Sequence, residues 1–95
     1  EGCLVTPPFE PGGALHVNVA AANGGWLRAE LLDADSGRPL DEYSAADCRP
    51  LEGDLLNARV QWKSRADLPR SPARVRARFL MRNAALFSFW LERGT

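Results

Sequence analysis

Histidine, lysine, methionine and tyrosine occur once each in this 95-residue sequence, and cysteine only twice. Each scarcity closes a class of function. With His16 as the one imidazole and Cys3 and Cys48 far apart, the short-spaced ligand pairs of a zinc site are missing. An excess of one charge is missing too: 12 basic residues face 12 acidic ones. No global positive field therefore draws the chain onto phosphate backbones, and nucleic acid is not an expected partner. No apolar run approaches the ~20 residues of a membrane-spanning helix, so no membrane partner is expected either. The chain begins at Glu1-Gly2 without an initiator methionine and without the basic and apolar segments of a signal peptide. It reads as a piece excised or processed from something longer, which leaves localisation open. A chain this short makes a single domain, residues 1–95, with one core and little room for a deep catalytic cleft. Cys3 and Cys48 read either as two buried free thiols or, if the N-terminal strand lies beside the Cys48 loop, as one disulfide.

What is present is a repeat of two. Leu15, Val17 and Val19 alternate with His16, Asn18 and Ala20, and Leu27, Ala29 and Leu31 with Arg28 and Glu30. Leu56, Ala58, Val60 and Trp62 alternate with Asn57, Arg59 and Gln61. Val75, Ala77, Phe79 and Met81 alternate with four arginines, and Phe87, Phe89 and Leu91 with Ser88 and Glu92. Each set predicts a strand with one face in a core. Turn chemistry separates the strands: Asn23-Gly24-Gly25 predicts a hairpin, Asp33 to Gly37 another turn, and Asn83 a residue of positive φ between the last two strands. Pro7-Pro8 and Pro69 to Pro72 mark irregular stretches. The segment from Tyr43 to Asp54 is the least regular, with a short strand near Glu42–Ser44 and a loop holding Cys48. Six or seven short strands with no helical period predict an all-β fold, a two-sheet antiparallel β-sandwich of jelly-roll type.

The stretches Leu15 to Ala20, Gly25 to Asp33 with Gly37 to Leu40, Gly53-Asp54 leading to Val60-Gln61-Trp62, Val75 to Phe79 and Arg82 to Phe89 form a pattern. It resembles the small β-sandwich at the C-terminal end of bacterial glycosidase-like proteins whose main domain is a β-propeller. The resemblance covers nearly the whole chain, with Phe87 where that family more often has tyrosine. It implies an accessory module, catalytic carboxylates in the other domain of the parent chain, and a secreted or periplasmic location. Its motifs describe strands and turns and carry no catalytic signature.

The outward face of the last two strands is the main candidate site. Arg74, Arg76, Arg78 and Arg82 share a side with Leu80, while Leu86, Ser88 and Trp90 share a side of the next strand. Large apolar groups on a nominally solvated face call for cover, and Arg and Trp are enriched at interface hot spots. Docking against the catalytic domain of the same parent chain is the preferred reading, with self-association of the isolated piece as its consequence. The plainer alternative makes this face an ordinary sheet exterior, its arginines paired with Glu30 and its neighbours. A third reading is glycan binding, with Trp26 or Trp90 as a stacking platform and planar polar side chains for the hydroxyls; Trp62 falls in an inward set and reads as core. Asp33-Ala34-Asp35-Ser36-Gly37 has the letters of a calcium loop but no downstream bidentate Glu, so it reads as a turn and no metal is expected. His16 with Ser44, Asp47 and Cys48 lacks any local nucleophile signature. No catalytic residue and no cofactor are nominated.

Overall fold

The computed structural model describes residues 2–63, 67–69 and 74–92. Four strands make one antiparallel sheet: β1 (Gly2–Val5), β2 (Ala14–Asp33), β3 (Asp54–Arg59) and β4 (Val75–Glu92), in the order β1-β4-β2-β3. There is no helix among the described residues. The chain is thus all-β, as its alternation predicts, but its strands are fewer and longer. β2 runs for 20 residues and β4 for 18, and they pair along nearly their whole length, from Ala14↔Glu92 to Asp33↔Val75. Pro69 lies in an irregular stretch as read from sequence; the rest of that stretch, through Pro72, is outside the described residues.

Asn23-Gly24-Gly25 does not close a hairpin. Pairing continues from Ala21↔Ala84 to Trp26↔Arg82, so residues 22–25 of β2 stand opposite Asn83 alone. Both strands bend here, and Gly24 (φ 77°) and Asn83 (φ 47°) supply the left-handed backbone. Gly25 has a different role. A Cβ on it would lie 2.5 Å from the Asn83 carbonyl oxygen and 2.6 Å from that of Arg82. Only a bare backbone lets the two strands close at this point.

The core draws on both sides of the bend. Leu15, Val17, Leu27, Leu31, Val60, Trp62, Val75 and Phe79 are the largest fully buried side chains. Phe79 and Phe89, from opposite sides of the bend, meet with ring centroids 5.3 Å apart. Trp62 is core, as its inward position predicts. Its indole Nε1 donates to the Ala29 carbonyl at 2.8 Å, and Tyr43 meets it edge-on at 5.3 Å. Its only polar atom is satisfied, so its whole ring contributes burial. Residues 38–51 cover the free edge of this half of β2 without forming a strand. Leu31 donates to Tyr43 and accepts from Leu40, while Leu27 and Leu51 exchange two hydrogen bonds of 2.9 Å. The Asp33–Gly37 turn forms as its letters predict: Asp33 Oδ1 accepts from the amides of Asp35 and Ser36, and Gly37 takes φ 75°.

Two bulges overturn the face assignments of the residues beside them. On β3, Val19 pairs with Leu55 and Val17 with Ala58, which leaves an extra residue at Leu56-Asn57. Asn57 takes φ 55° and the alternation slips. Leu55 packs against the core and Leu56, an inward residue by alternation, is 86% exposed. On β4, Val19 pairs with Leu86 and Asn18 with Ser88, so Phe87 is the extra residue. Phe87 is 71% exposed, and Leu86 packs against the core with Ala84. The reading of Leu86 as an outward contact residue is therefore corrected. Its cause is one inserted residue.

Substituting Gly25→Ala is expected to cost more than about 2 kcal/mol, because three backbone carbonyls, of Ala22, Arg82 and Asn83, must move. Gly37→Ala, with nothing within 4 Å of its Cβ position, is expected to cost only about 1 kcal/mol, from its φ alone. Urea denaturation of the two variants checks this order.

Candidate functional site

Pairing across β1, β4 and β2 assembles one outward surface below the bend. Trp26 stands opposite Arg82, Arg28 opposite Leu80, Glu30 opposite Arg78, and Leu32 opposite Arg76. β1 adds Cys3 beside Leu80 and Val5 beside Arg78. Directly paired residues share a face, so these side chains form a continuous patch. Within it Arg78 forms an ion pair with Glu30, whose side chain is only 5% exposed and whose Oε2 accepts from the Ala45 amide at 3.1 Å. Arg76 Nη1 donates to the Thr6 carbonyl at 3.1 Å. The Arg28 guanidinium lies over the Trp26 ring, 5.3 Å from its centroid. Arg74 and Arg82 are exposed, with no carboxylate in ion-pair range among the described residues. A shallow hollow at the Trp26–Arg82 end of the patch is lined by Gly2, Cys3, Trp26, Leu80 and Met81.

A second outward surface lies above the bend. His16 pairs with Trp90 on one side and Arg59 on the other, and Asn18 pairs with Ser88. His16 is not the solvated residue that an outer strand position implies: it is 9% exposed, stacks on Trp90 at 5.7 Å, and sets Nε2 3.3 Å from Glu92. Beside it Arg59 holds Asp67 at 2.8 Å. Asn18 clasps both bulges. Its Oδ1 accepts from the Asn57 amide at 2.7 Å and its Nδ2 donates to Ser88 Oγ at 2.9 Å. The exposed Leu56 and Phe87 flank this clasp on the strands to either side. Trp90 also borders an apolar hollow with Thr6, Pro7, Pro8, Phe9, Phe89 and Leu91.

The sequence groups Leu80, Leu86 and Trp90 as one surface. The structure separates them: Leu80 lies with the arginines, Trp90 with His16 across the bend, and the partly buried Leu86 against the core. Arg74, Arg76, Arg78 and Arg82 do line one side with Leu80. Arg28, Asn18, Leu56 and Phe87 are surface residues that alternation did not single out. The signal for Leu56 was Asn57, a residue tolerant of positive φ set inside an apparent strand; no residue of that kind marks the Phe87 bulge.

Chemistry-bearing groups elsewhere are engaged separately. Both cysteines are free, Cys3 exposed and Cys48 buried, so the structure contains neither a disulfide nor two buried thiols. Cys48 Sγ accepts from the Ala29 amide at 3.3 Å, and burial pushes its thiol above the ordinary range. Ser44 Oγ accepts from the Asp47 amide, and Lys63, 3.0 Å from Asp47, holds that carboxyl below its usual value. None of these contacts reaches His16. Among the described residues no three His, Cys, Asp or Glu side chains converge as metal ligands. No protein family, curated protein or solved structure matches the chain.

Asn18→Ala is expected to lower stability by about 1–2 kcal/mol and to speed hydrogen exchange at the Asn57 amide, read by NMR. With a thiol reagent, Cys3 should react at once and Cys48 only on unfolding. The raised Cys48 pKa adds stability that is full below the ordinary thiol value and lost as pH climbs through the folded one. Stability of wild type, compared with Cys48→Ala, should therefore fall more steeply in alkali.

Proposed function

We propose that this chain is a non-catalytic accessory β domain that packs against a larger protein through its outward sheet surface. The observation that carries this reading is the pair of bulges at Asn57 and Phe87. They turn two large apolar side chains, 86% and 71% exposed, into solvent on either side of Asn18. Leaving such groups in water wastes burial that a domain of this size needs, unless a partner covers them. The Arg and Trp content of the adjoining patch fits an interface as well.

A glycoside-hydrolase-like parent is part of the proposal and rests on the resemblance of the strand and turn motifs. The two-layer sandwich belongs to it also. A sheet bent at Gly25 and Asn83, with one core fed from both halves and Phe79 against Phe89, supports a jelly-roll-like reading. Sugar binding through Trp26 or Trp90 is favoured less, because Arg28 stacks on the first ring and His16 on the second.

If the bulge residues await cover, the isolated chain should self-associate with rising concentration and bind a hydrophobic dye. The double variant Leu56→Ser, Phe87→Ser should abolish both without loss of stability, since neither side chain is buried. Light scattering and dye fluorescence read this directly. A wild type that stays monomeric and dye-silent at high concentration overturns the reading.

A further inference from the structure

The charge of this neutral chain is divided unevenly over its surface. Arg28, Arg76, Arg78 and Arg82 gather on the sheet face below the bend with Arg74 at its end, and among the described residues the one carboxylate paired onto that face, Glu30, is buried under Arg78. The other four arginines have no carboxylate in ion-pair range among the described residues. The 33–54 segment of the sequence is acidic in composition, with Asp33, Asp35, Asp41, Glu42, Asp47, Glu52 and Asp54 against Arg38 and Arg49, and Lys63 from outside it pairs with Asp47. This segment borders the patch, because residues 38–51 hydrogen-bond along β2.

From this we infer that the Arg28–Arg82 face binds a protein surface carrying a compact cluster of carboxylates. The inference rests on the docking reading above and names the chemistry of the partner. Guanidinium groups take carboxylates in a planar fork, and Leu80, the half-exposed Val5 (47%) and the Arg28-capped Trp26 ring offer apolar contact between them. A long uniform polyanion fits this face poorly. Duplex DNA or an acidic polysaccharide running off the arginines would meet the acidic segment and be repelled. A protein can set its carboxylates on the arginines alone. Stacking of a sugar ring on Trp26 also competes with Arg28 for the ring.

The test titrates the intact chain with hexaglutamate, with hexagalacturonate and with a short DNA duplex, following Trp fluorescence at low and physiological salt. Hexaglutamate should bind best, and more weakly by about tenfold at the higher salt. The variant Arg74→Glu, Arg82→Glu changes two exposed residues with no ion pair among the described residues and should fold normally by circular dichroism, yet lose about tenfold or more in binding. Arg49→Glu, on the acidic segment, should bind as wild type does. Tighter binding of the galacturonate or the DNA overturns the inference, as does equal binding by the double variant. Salt-sensitive dimerisation in analytical ultracentrifugation that the double variant loses would assign the face to a second copy and overturn it too. Retained self-association through Leu56 and Phe87, with no binding of hexaglutamate, would reject the acidic partner while leaving the docking reading in place.

Discussion

The pairing of β2 with β4 fixes almost everything else in this molecule. Sixteen residue pairs join these two strands, and each pair commits two side chains to the same face. Because the side-chain period is two, a single inserted residue reverses every assignment beyond it. The sheet contains three such insertions: the 22–25 bend against Asn83, the Asn57 bulge and the Phe87 bulge. Where they fall decides which apolar groups build the core and which are left in water.

The insertions are held in place by identifiable atoms. At the bend, the absence of a side chain on Gly25 admits the carbonyls of Arg82 and Asn83. At the bulges, the Asn18 amide bonds to β3 and β4 together. A carboxamide suits this position because it donates from one end and accepts at the other. Local polar geometry thus sets the register, and register sets the surface on which the proposed docking depends.

Alternation was a sound guide wherever the backbone stayed regular. Leu15, Val17 and Val19, Leu27, Ala29 and Leu31, and Val75, Ala77 and Phe79 are all buried, as their spacing predicts. Trp62 is core for the same reason. The reading failed at Leu56, Leu86 and Phe87, because a bulge adds a residue without any change in composition. Asn23-Gly24-Gly25 misled in a different way. Residues that tolerate positive φ serve a hairpin and a bend within a long strand equally well, and only the partner strand distinguishes them. The arginine stripe was legible as a stripe. Its division from Trp90 by the bend, and the burial of its one carboxylate, depend on long-range pairing that no local pattern encodes.

The contact that discriminates most sharply is the environment of Leu86 and Phe87. In a nuclear Overhauser spectrum of the chain, the Leu86 methyls should show cross-peaks to Val19 and Leu55, and the Phe87 ring should show none to the core. Cross-peaks from the Phe87 ring to Val19, with Leu86 silent, would place the alternation back in register and contradict the account.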